Sequence, residues 1–106
     1  NMFNMDAFKK MKSSAFLINT ARGPLVNTDD LAVALDAGEL AGAGLDVLPT
    51  EPPPADDPIV GRDDVVITPH AGFYSEEALL DLQTTVASDV AAVLAGEAPK
   101  YPVAAK

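Results

Sequence analysis

The chain has 106 residues, 48% of them hydrophobic, which is enough for one small domain with a core and gives no sign of extended disorder. Its 16 acidic and 7 basic residues give a formal net charge of -9, which would repel a phosphate backbone and argues against direct binding to nucleic acid. Cysteine is absent from the sequence, which excludes disulfide scaffolds, thiol nucleophiles and thiolate zinc sites.

A single histidine is too few for most metal sites, and the acidic residues are spread among predicted helix starts and loops, so no metal is expected. No apolar run approaches the roughly 20 residues needed to cross a bilayer, and no signal peptide opens the chain. These observations predict a cytoplasmic protein without a membrane partner. Because the chain starts at Asn1 and enters an amphipathic stretch almost at once, we also expect it to be part of a longer protein.

The first half of the chain predicts two helices around one strand. Apolar residues at helical spacing indicate a short helix over Met5–Met11. The compact apolar run Ala15–Ile18 is typical of a parallel strand that is covered on both faces. A second helix is predicted over Thr28–Ala37, because Asn27 can cap its first turn.

The second half predicts two further strands and a long helix. Ala41–Val47, which is rich in small residues, and Val65–Thr68 both indicate buried strands. Ser75 can cap a final helix that carries a stripe of Leu and Val and ends at Gly96. The stripe indicates a packing partner.

This order of elements predicts an α/β fold with a parallel sheet and right-handed crossovers. Three strands make at most half of a doubly wound sheet, and an edge would then be left unpaired. We therefore expect a missing part of the protein, or a partner chain, to complete the sheet.

Polar side chains follow all three predicted strands, at the edge where open parallel sheets bind ligands. Arg22 follows the first strand, Glu51 lies beyond the second, and His70 follows the third. A guanidinium can hold a substrate carboxylate, and an imidazole that is steadied by a carboxylate can move a proton near neutral pH. The three residues together suit reactions of small 2-oxo or 2-hydroxy acids.

Each of these residues also has a purely structural interpretation. Arg22 could be a surface arginine that pairs with one of many acids, and His70 could be a satisfied histidine at a strand end. Glu51 lies in a proline-rich loop that could be only a stiff connection. Asp46, at the end of the second strand, could simply reach solvent, or it could accept a hydrogen bond from an amide on a ligand.

Three phrases, LINTARG (Leu17–Gly23), DVLPTEPPP (Asp46–Pro54) and ITPH (Ile67–His70), occur in an order that resembles the D-isomer-specific 2-hydroxyacid dehydrogenases. The resemblance spans nearly the whole chain. It implies the C-terminal half of a Rossmann-type doubly wound sheet in a two-domain, usually dimeric, NAD(P)-dependent enzyme. Residues 1–95 would then belong to the NAD(P)-binding domain, and residues 96–106 would be a tail that returns toward a separate substrate domain.

The resemblance also implies roles for the three polar residues. Arg22 matches the family's arginine that binds the substrate carboxylate and carbonyl. His70 matches its acid/base, and Glu51 matches the acid that supports this histidine. The complete protein is thus expected to transfer a hydride between NAD(P)H and a small 2-oxo or 2-hydroxy acid of the D type, whereas these 106 residues alone are not expected to be active.

Cofactor contacts are implied at the ends of the strands. Asp46 matches the acid that contacts the nicotinamide carboxamide. Further contacts are implied for Thr20, Ala21, Arg22, His70 and Gly72. The family's glycine-rich phosphate loop, and the acid that selects NAD over NADP, lie upstream of the matched region. NAD is therefore the expected cofactor, and NADP stays open.

The phrase HAGFYSEEA (His70–Ala78) resembles the C-terminal-binding-protein branch, which includes transcriptional corepressors with a dehydrogenase fold. Those corepressors usually carry tryptophan where Phe73 stands. The alternative function is therefore an NAD-sensing protein that binds other proteins. We favour the enzyme, with a small 2-oxo or 2-hydroxy acid as its substrate and a second copy as its partner in a homodimer.

Overall fold

The computed structural model describes residues 1–103, which divide into two compact units, Asn1–Gly72 and a unit that begins at Phe73. The elements of the first unit are α1 (Met5–Phe8), β1 (Phe16–Asn19), a 3-10 helix (Gly23–Leu25), α2 (Thr28–Asp36), β2 (Gly42–Leu45) and β3 (Val65–Ile67). The second unit contains α3 (Glu76–Leu94). The predicted α/β class is confirmed.

The three strands form one parallel sheet in the order β1-β2-β3. Phe16 pairs with Gly42, and Leu45 pairs with Ile67. Helix α2 lies in the crossover between β1 and β2, and a long loop joins β2 to β3. Because all three strands run in the same direction, their carboxyl ends lie along one edge of the sheet.

A hydrophobic core lies on one face of this sheet. Leu17 of β1 and Leu45 of β2 are buried there together with Phe8 of α1 and Leu31 of α2. Ile59, from the loop before β3, belongs to the same cluster and is completely buried. Burying a large apolar side chain stabilises a fold by about 1.5–3 kcal/mol. This core therefore holds β1 and β2 against the two helices, and Val65 at the start of β3 packs against it.

The other face of the sheet is exposed within the first unit, so the expectation that the strand Ala15–Ile18 is covered on both faces is wrong for this unit. The expectation that Val65–Thr68 is a buried strand is wrong for the same reason. Phe16 and Ile18 are 66% and 67% exposed, and Val66 of β3 is 66% exposed. The core residues of α1 and α2 pack against the other face of the sheet, the one that carries Leu17 and Leu45. An apolar run shows that both faces can be buried, but it does not show what covers them.

Two predicted elements are shorter than expected. Helix α1 ends at Phe8 rather than at Met11, because the chain leaves the helix through a turn in which the amide of Lys10 bonds to the Ala7 carbonyl. Strand β2 occupies only the middle of the predicted Ala41–Val47. A strand lasts as long as its neighbours pair with it, and β1 and β3 contain four and three residues.

Both predicted helix caps are present. The Asn27 side chain accepts a hydrogen bond from the Asp30 amide at 3.2 Å, and the Ser75 hydroxyl accepts one from the Ala78 amide at 3.1 Å. Each bond satisfies an amide that the first turn of a helix leaves without an intrahelical partner. After α3, Gly96 adopts a φ of +81°, which glycine tolerates best.

Helix α3 has no buried residue within the described structure. Its predicted apolar stripe is present and exposed, with Leu82, Val86, Val90 and Val93 each 54% or 55% exposed. None of the described helices is both long and apolar enough to cross a membrane. Residues 104–106 of the predicted tail lie outside the described part of the chain.

Candidate active site

The turn after β1 is shaped by Asn19, the last residue of that strand. Asn19 is 6% exposed, and its side chain accepts a hydrogen bond from the Ala21 amide at 3.1 Å and donates one to the Arg22 carbonyl at 3.0 Å. These two bonds hold the backbone from which the Arg22 side chain extends. Asn19 was predicted only to end the strand, although a polar residue directly after an apolar run is a signal of this kind of turn.

Arg22 is exposed and forms no ion pair within the described residues. Its Nη1 atom donates a hydrogen bond of 2.6 Å to the Ala21 carbonyl, which leaves most of the guanidinium donors available. The alternative of a surface arginine paired with an acid is therefore not the observed arrangement. Arg22 instead lines a cavity of about 220 Å³ together with Glu51 and His70.

Glu51 and His70 form a direct pair. The distance between His70 Nδ1 and Glu51 Oε2 is 2.7 Å, and the two side chains are 45% and 38% exposed. The other oxygen of Glu51 accepts a hydrogen bond of 2.8 Å from the Leu48 amide. The hydrogen bond to His70, followed by that from Leu48, holds the pKa of Glu51 below its usual value of 4.5. An ionised Glu51 can only accept a hydrogen bond, so it favours the tautomer of a neutral imidazole in which Nδ1 carries the hydrogen and donates it to the carboxylate.

His70 follows β3 in an unusual backbone conformation. It has a φ of +54°, the only positive value among the described residues other than glycine. Histidine is enriched several-fold in this left-handed region relative to most side chains, yet the conformation still costs on the order of 1 kcal/mol. The His70 amide donates to the Thr68 carbonyl at 2.9 Å, which closes a tight turn around Pro69.

Asp46 follows β2 and is 7% exposed, so the alternative that it simply reaches solvent is wrong. Its carboxylate accepts hydrogen bonds from the Thr68 hydroxyl at 2.5 Å and from the amides of Ala71 and Gly72 at 2.9 and 2.8 Å. These bonds, led by the one from Thr68, hold the pKa of Asp46 below its usual value of 3.8. Asp46 is therefore ionised at neutral pH and bound by the chain's own donors.

A second cavity, of about 410 Å³, lies beside the Glu51–His70 pair and is lined largely by apolar side chains. Its lining includes Pro52, Pro53, Ile67 and Pro69. Leu48, Glu51 and His70 line both cavities. The pair thus lies where the cavity that Arg22 lines meets a largely apolar one.

Two glycines permit close contacts around these cavities. A Cβ atom on Gly23 would overlap the Leu48 carbonyl group, and one on Gly72 would lie 2.9 Å from Asp46 Oδ2. The same atom on Gly72 would lie 3.8 Å from Cβ of Thr20. The turn after β1 therefore lies too close to the Leu48 carbonyl group, and the turn after β3 too close to the Asp46 carboxylate, for either glycine to carry a side chain without displacement, whereas the distance to Thr20 is an ordinary contact.

The structure brings Arg22, Glu51 and His70 together around one cavity, although they lie in three separate loops. Asp46 lies at the same edge, bound to the turn that carries His70. Thr20 and Ala21 are exposed at the end of β1 but line neither cavity. Among the described residues no group of three or more His, Cys, Asp or Glu side chains is arranged to hold a metal ion.

Comparison with known proteins identifies the family. Residues 1–72 match the model for the D-isomer specific 2-hydroxyacid dehydrogenase, NAD binding domain. Glyoxylate reductase of Thermofilum pendens is 43% identical over 99 residues, which are 93% of this chain and 29% of the reductase. Glyoxylate/hydroxypyruvate reductase B of Escherichia fergusonii is 39% identical over 94% of this chain and 31% of its own length.

A solved structure gives the same result. The D-lactate dehydrogenase of Lactobacillus jensenii with NAD+ superposes with a TM-score of 0.85 and 32% identity, over 99% of this chain and 36% of that one. The chain therefore spans about a third of the length of the proteins that it matches. It belongs to the family of D-isomer specific 2-hydroxyacid dehydrogenases, as part of their NAD-binding domain.

Proposed function

We propose that the complete protein is an oxidoreductase that interconverts a small 2-oxo acid and the corresponding D-2-hydroxy acid with NAD(P)H or NAD(P)+. The observation that carries this proposal is the convergence of Arg22, Glu51 and His70 on one cavity. A cation, a carboxylate and an imidazole in this arrangement are the groups that such a reaction requires.

Arg22 is proposed to bind the substrate carboxylate. Its planar fork can form a bidentate pair with a carboxylate, and it lines the same cavity as His70. The turn held by Asn19 fixes the origin of the side chain. Binding of the carboxylate by Arg22 would present the neighbouring 2-oxo group to the imidazole.

His70 is proposed to be the general acid and base. With Glu51 bound to Nδ1, the Nε2 atom is the one that exchanges a proton with the substrate oxygen. In reduction His70 gives a proton to the 2-oxo oxygen, and in oxidation it takes the proton of the hydroxyl group. Glu51 stabilises the protonated imidazole and maintains the orientation of the ring.

The cofactor contacts are proposed at the ends of the strands, where Thr20, Ala21, Arg22, His70 and Gly72 are exposed. The bound cofactor supplies or accepts the hydride. Asp46 accepts three hydrogen bonds from the chain, which leaves one acceptor position on its Oδ2 atom. This arrangement fits a cofactor whose ring carries an amide group. That position suits one hydrogen bond from the nicotinamide carboxamide. Solved relatives bind NAD+ in one case and NADP in another, so both cofactors remain within the proposal.

We also propose how the complete protein is divided into domains and how it assembles. Residues 1–95 would form the C-terminal part of the NAD(P)-binding domain, and residues 96–106 would lead toward a substrate domain. The exposed apolar stripe of α3 is consistent with packing against another domain or a second copy, and we propose a cytoplasmic homodimer. The relatives named above are reductases and a dehydrogenase, and they give the corepressor alternative no support.

The test is steady-state oxidation of NADH and NADPH by the complete protein with a panel of 2-oxo acids. His70→Ala should lower kcat by about 100-fold or more, because general acid/base catalysis contributes that much, while cofactor binding stays measurable. Asp29→Asn, at an exposed position in the first turn of α2, is the matched control and should leave turnover unchanged. No turnover by the unchanged protein across the panel would contradict the proposal, and loss of cofactor binding in His70→Ala would contradict the role of His70.

A further inference from the structure

The Asp46 carboxylate binds a single turn of the chain. All three of its hydrogen-bond donors, the Thr68 hydroxyl and the amides of Ala71 and Gly72, lie within five consecutive residues. These donors flank His70 on both sides. The buried Asp46 carboxylate thus holds the backbone on both sides of His70, and none of these three hydrogen bonds involves the His70 ring.

Most of the acceptor positions of the Asp46 carboxylate are used by this turn. Oδ1 accepts two hydrogen bonds, from Thr68 and Ala71, and Oδ2 accepts one, from Gly72. A carboxylate oxygen has two lone pairs in its plane, so three of four positions are used within the chain. Hydrogen bonds to an ionised acceptor are also stronger than those between neutral groups.

The turn needs such an anchor because of its shape. His70 has a φ of +54°, which is unfavourable for a residue with a side chain, so the surrounding contacts must impose it. Asp46 binds the residue two positions before His70 and the two residues after it. Gly72 allows the close approach, since a Cβ atom there would lie 2.9 Å from Oδ2.

We propose that Asp46 is a positioning residue, which acts through Thr68, Ala71 and Gly72 to direct the His70 ring toward the substrate. This inference rests on the proposed function and adds a role to the expected cofactor contact of Asp46. Glu51 fixes the ring by its Nδ1 atom, and Asp46 fixes the backbone from which the ring extends. The two carboxylates therefore act on the same histidine at different points.

The experiment compares Thr68→Val with Thr68→Ser in the complete protein. Valine has nearly the same shape as threonine but cannot donate to Asp46, whereas serine keeps the hydroxyl group. Loss of the hydrogen bonds that orient metal-binding side chains costs about tenfold to 100-fold in affinity or activity, and we take the lower end as the scale for the bond behind His70. We expect Thr68→Val to lower kcat about tenfold with the KM for substrate and the Kd for NADH unchanged, and Thr68→Ser to retain near-normal kcat.

Asp46→Asn is the second variant. One carboxylate oxygen becomes an amide group that cannot accept a hydrogen bond, so at least one of the Ala71 and Gly72 amides loses its acceptor and should exchange its hydrogen faster. The kcat should fall in the same direction as in Thr68→Val. Unchanged kcat in Thr68→Val, combined with a raised Kd for NADH in Asp46→Asn, would show that Asp46 acts only on the cofactor and would overturn the proposal. Unchanged exchange at both amides in Asp46→Asn would overturn it independently of turnover. Absence of turnover in the unchanged protein would instead refute the proposed function.

Discussion

Replacing Gly23 by alanine tests whether the arginine-bearing turn and the loop that carries Glu51 must be in close contact. Gly23 is buried directly after Arg22. A Cβ atom at this position would overlap the carbonyl group of Leu48 and lie 2.5 Å from the nitrogen of Pro49, whereas real Cβ contacts essentially never fall below 3.0 Å. Both obstacles are backbone atoms, so no rotation of a side chain can relieve the overlap.

The displacement follows from these distances. The two loops must separate by at least half an ångström at Pro49, and by on the order of 1 Å at Leu48, a misplacement that can cost about 100-fold in rate when it moves a catalytic group. Overpacking of this kind also costs about 1–3 kcal/mol of unfolding free energy. We therefore expect Gly23→Ala to lower kcat/KM about 100-fold and to lower stability moderately.

The assay is oxidation of NADH with a 2-oxo acid substrate, together with urea unfolding of the complete protein. Gly38→Ala is the matched control: nothing lies within 4 Å of the added Cβ, but a φ of +71° makes alanine unfavourable there by about 1–2 kcal/mol. It should lose stability without losing turnover. If Gly23→Ala kept the normal kcat/KM, the contact between the two loops would not set the geometry of the site.

Two further predictions concern a substitution in the hydrophobic core and the pH dependence of stability. Leu31→Ala removes a completely buried side chain from α2 and should lower the unfolding free energy by about 3 kcal/mol, as measured by urea unfolding, whereas Val33→Ala on the exposed side of α2 should change it little. The pKa of Glu51 is held below 4.5 chiefly by His70, so its contribution to stability is present above pH 4.5 and is lost as the pH falls through the lowered folded-state value. Urea unfolding between pH 5 and pH 3 should therefore show a shallower loss of stability in Glu51→Gln, and an unchanged pH dependence would contradict the Glu51–His70 interaction.

Local signals in the chain predicted the elements well, because helix caps and apolar spacing act over a few residues. Asn27 and Ser75 accept the capping hydrogen bonds expected of them. The predictions that depended on distant residues were less accurate. Strand β2 is shorter than the run Ala41–Val47, since the lengths of its neighbours decide where pairing stops.

The gathering of polar residues at one edge of the sheet was predictable for a related reason. Three apolar runs, each followed by a polar residue, place those residues at one edge once the strands are parallel. This reasoning brought Arg22, Glu51 and His70 to one place, and the structure shows them around one cavity. Their chemical roles stay predictions from the family resemblance and the geometry.

The α/β class, the positions of the helices and strands within a few residues, and the edge at which the polar side chains gather all follow from the order of the residues, because periodicity and the order of elements can be read from local pattern. The partners of Asp46 and Glu51 depend on the folded structure. Asp46 and Glu51 are both carboxylates near His70, yet Asp46 binds the backbone turn around His70 and the Thr68 hydroxyl, whereas Glu51 binds the His70 ring and the Leu48 amide. Hydrogen bonds require donors within about 3 Å, and residues separated by 19 to 26 positions reach that distance only when the sheet has formed.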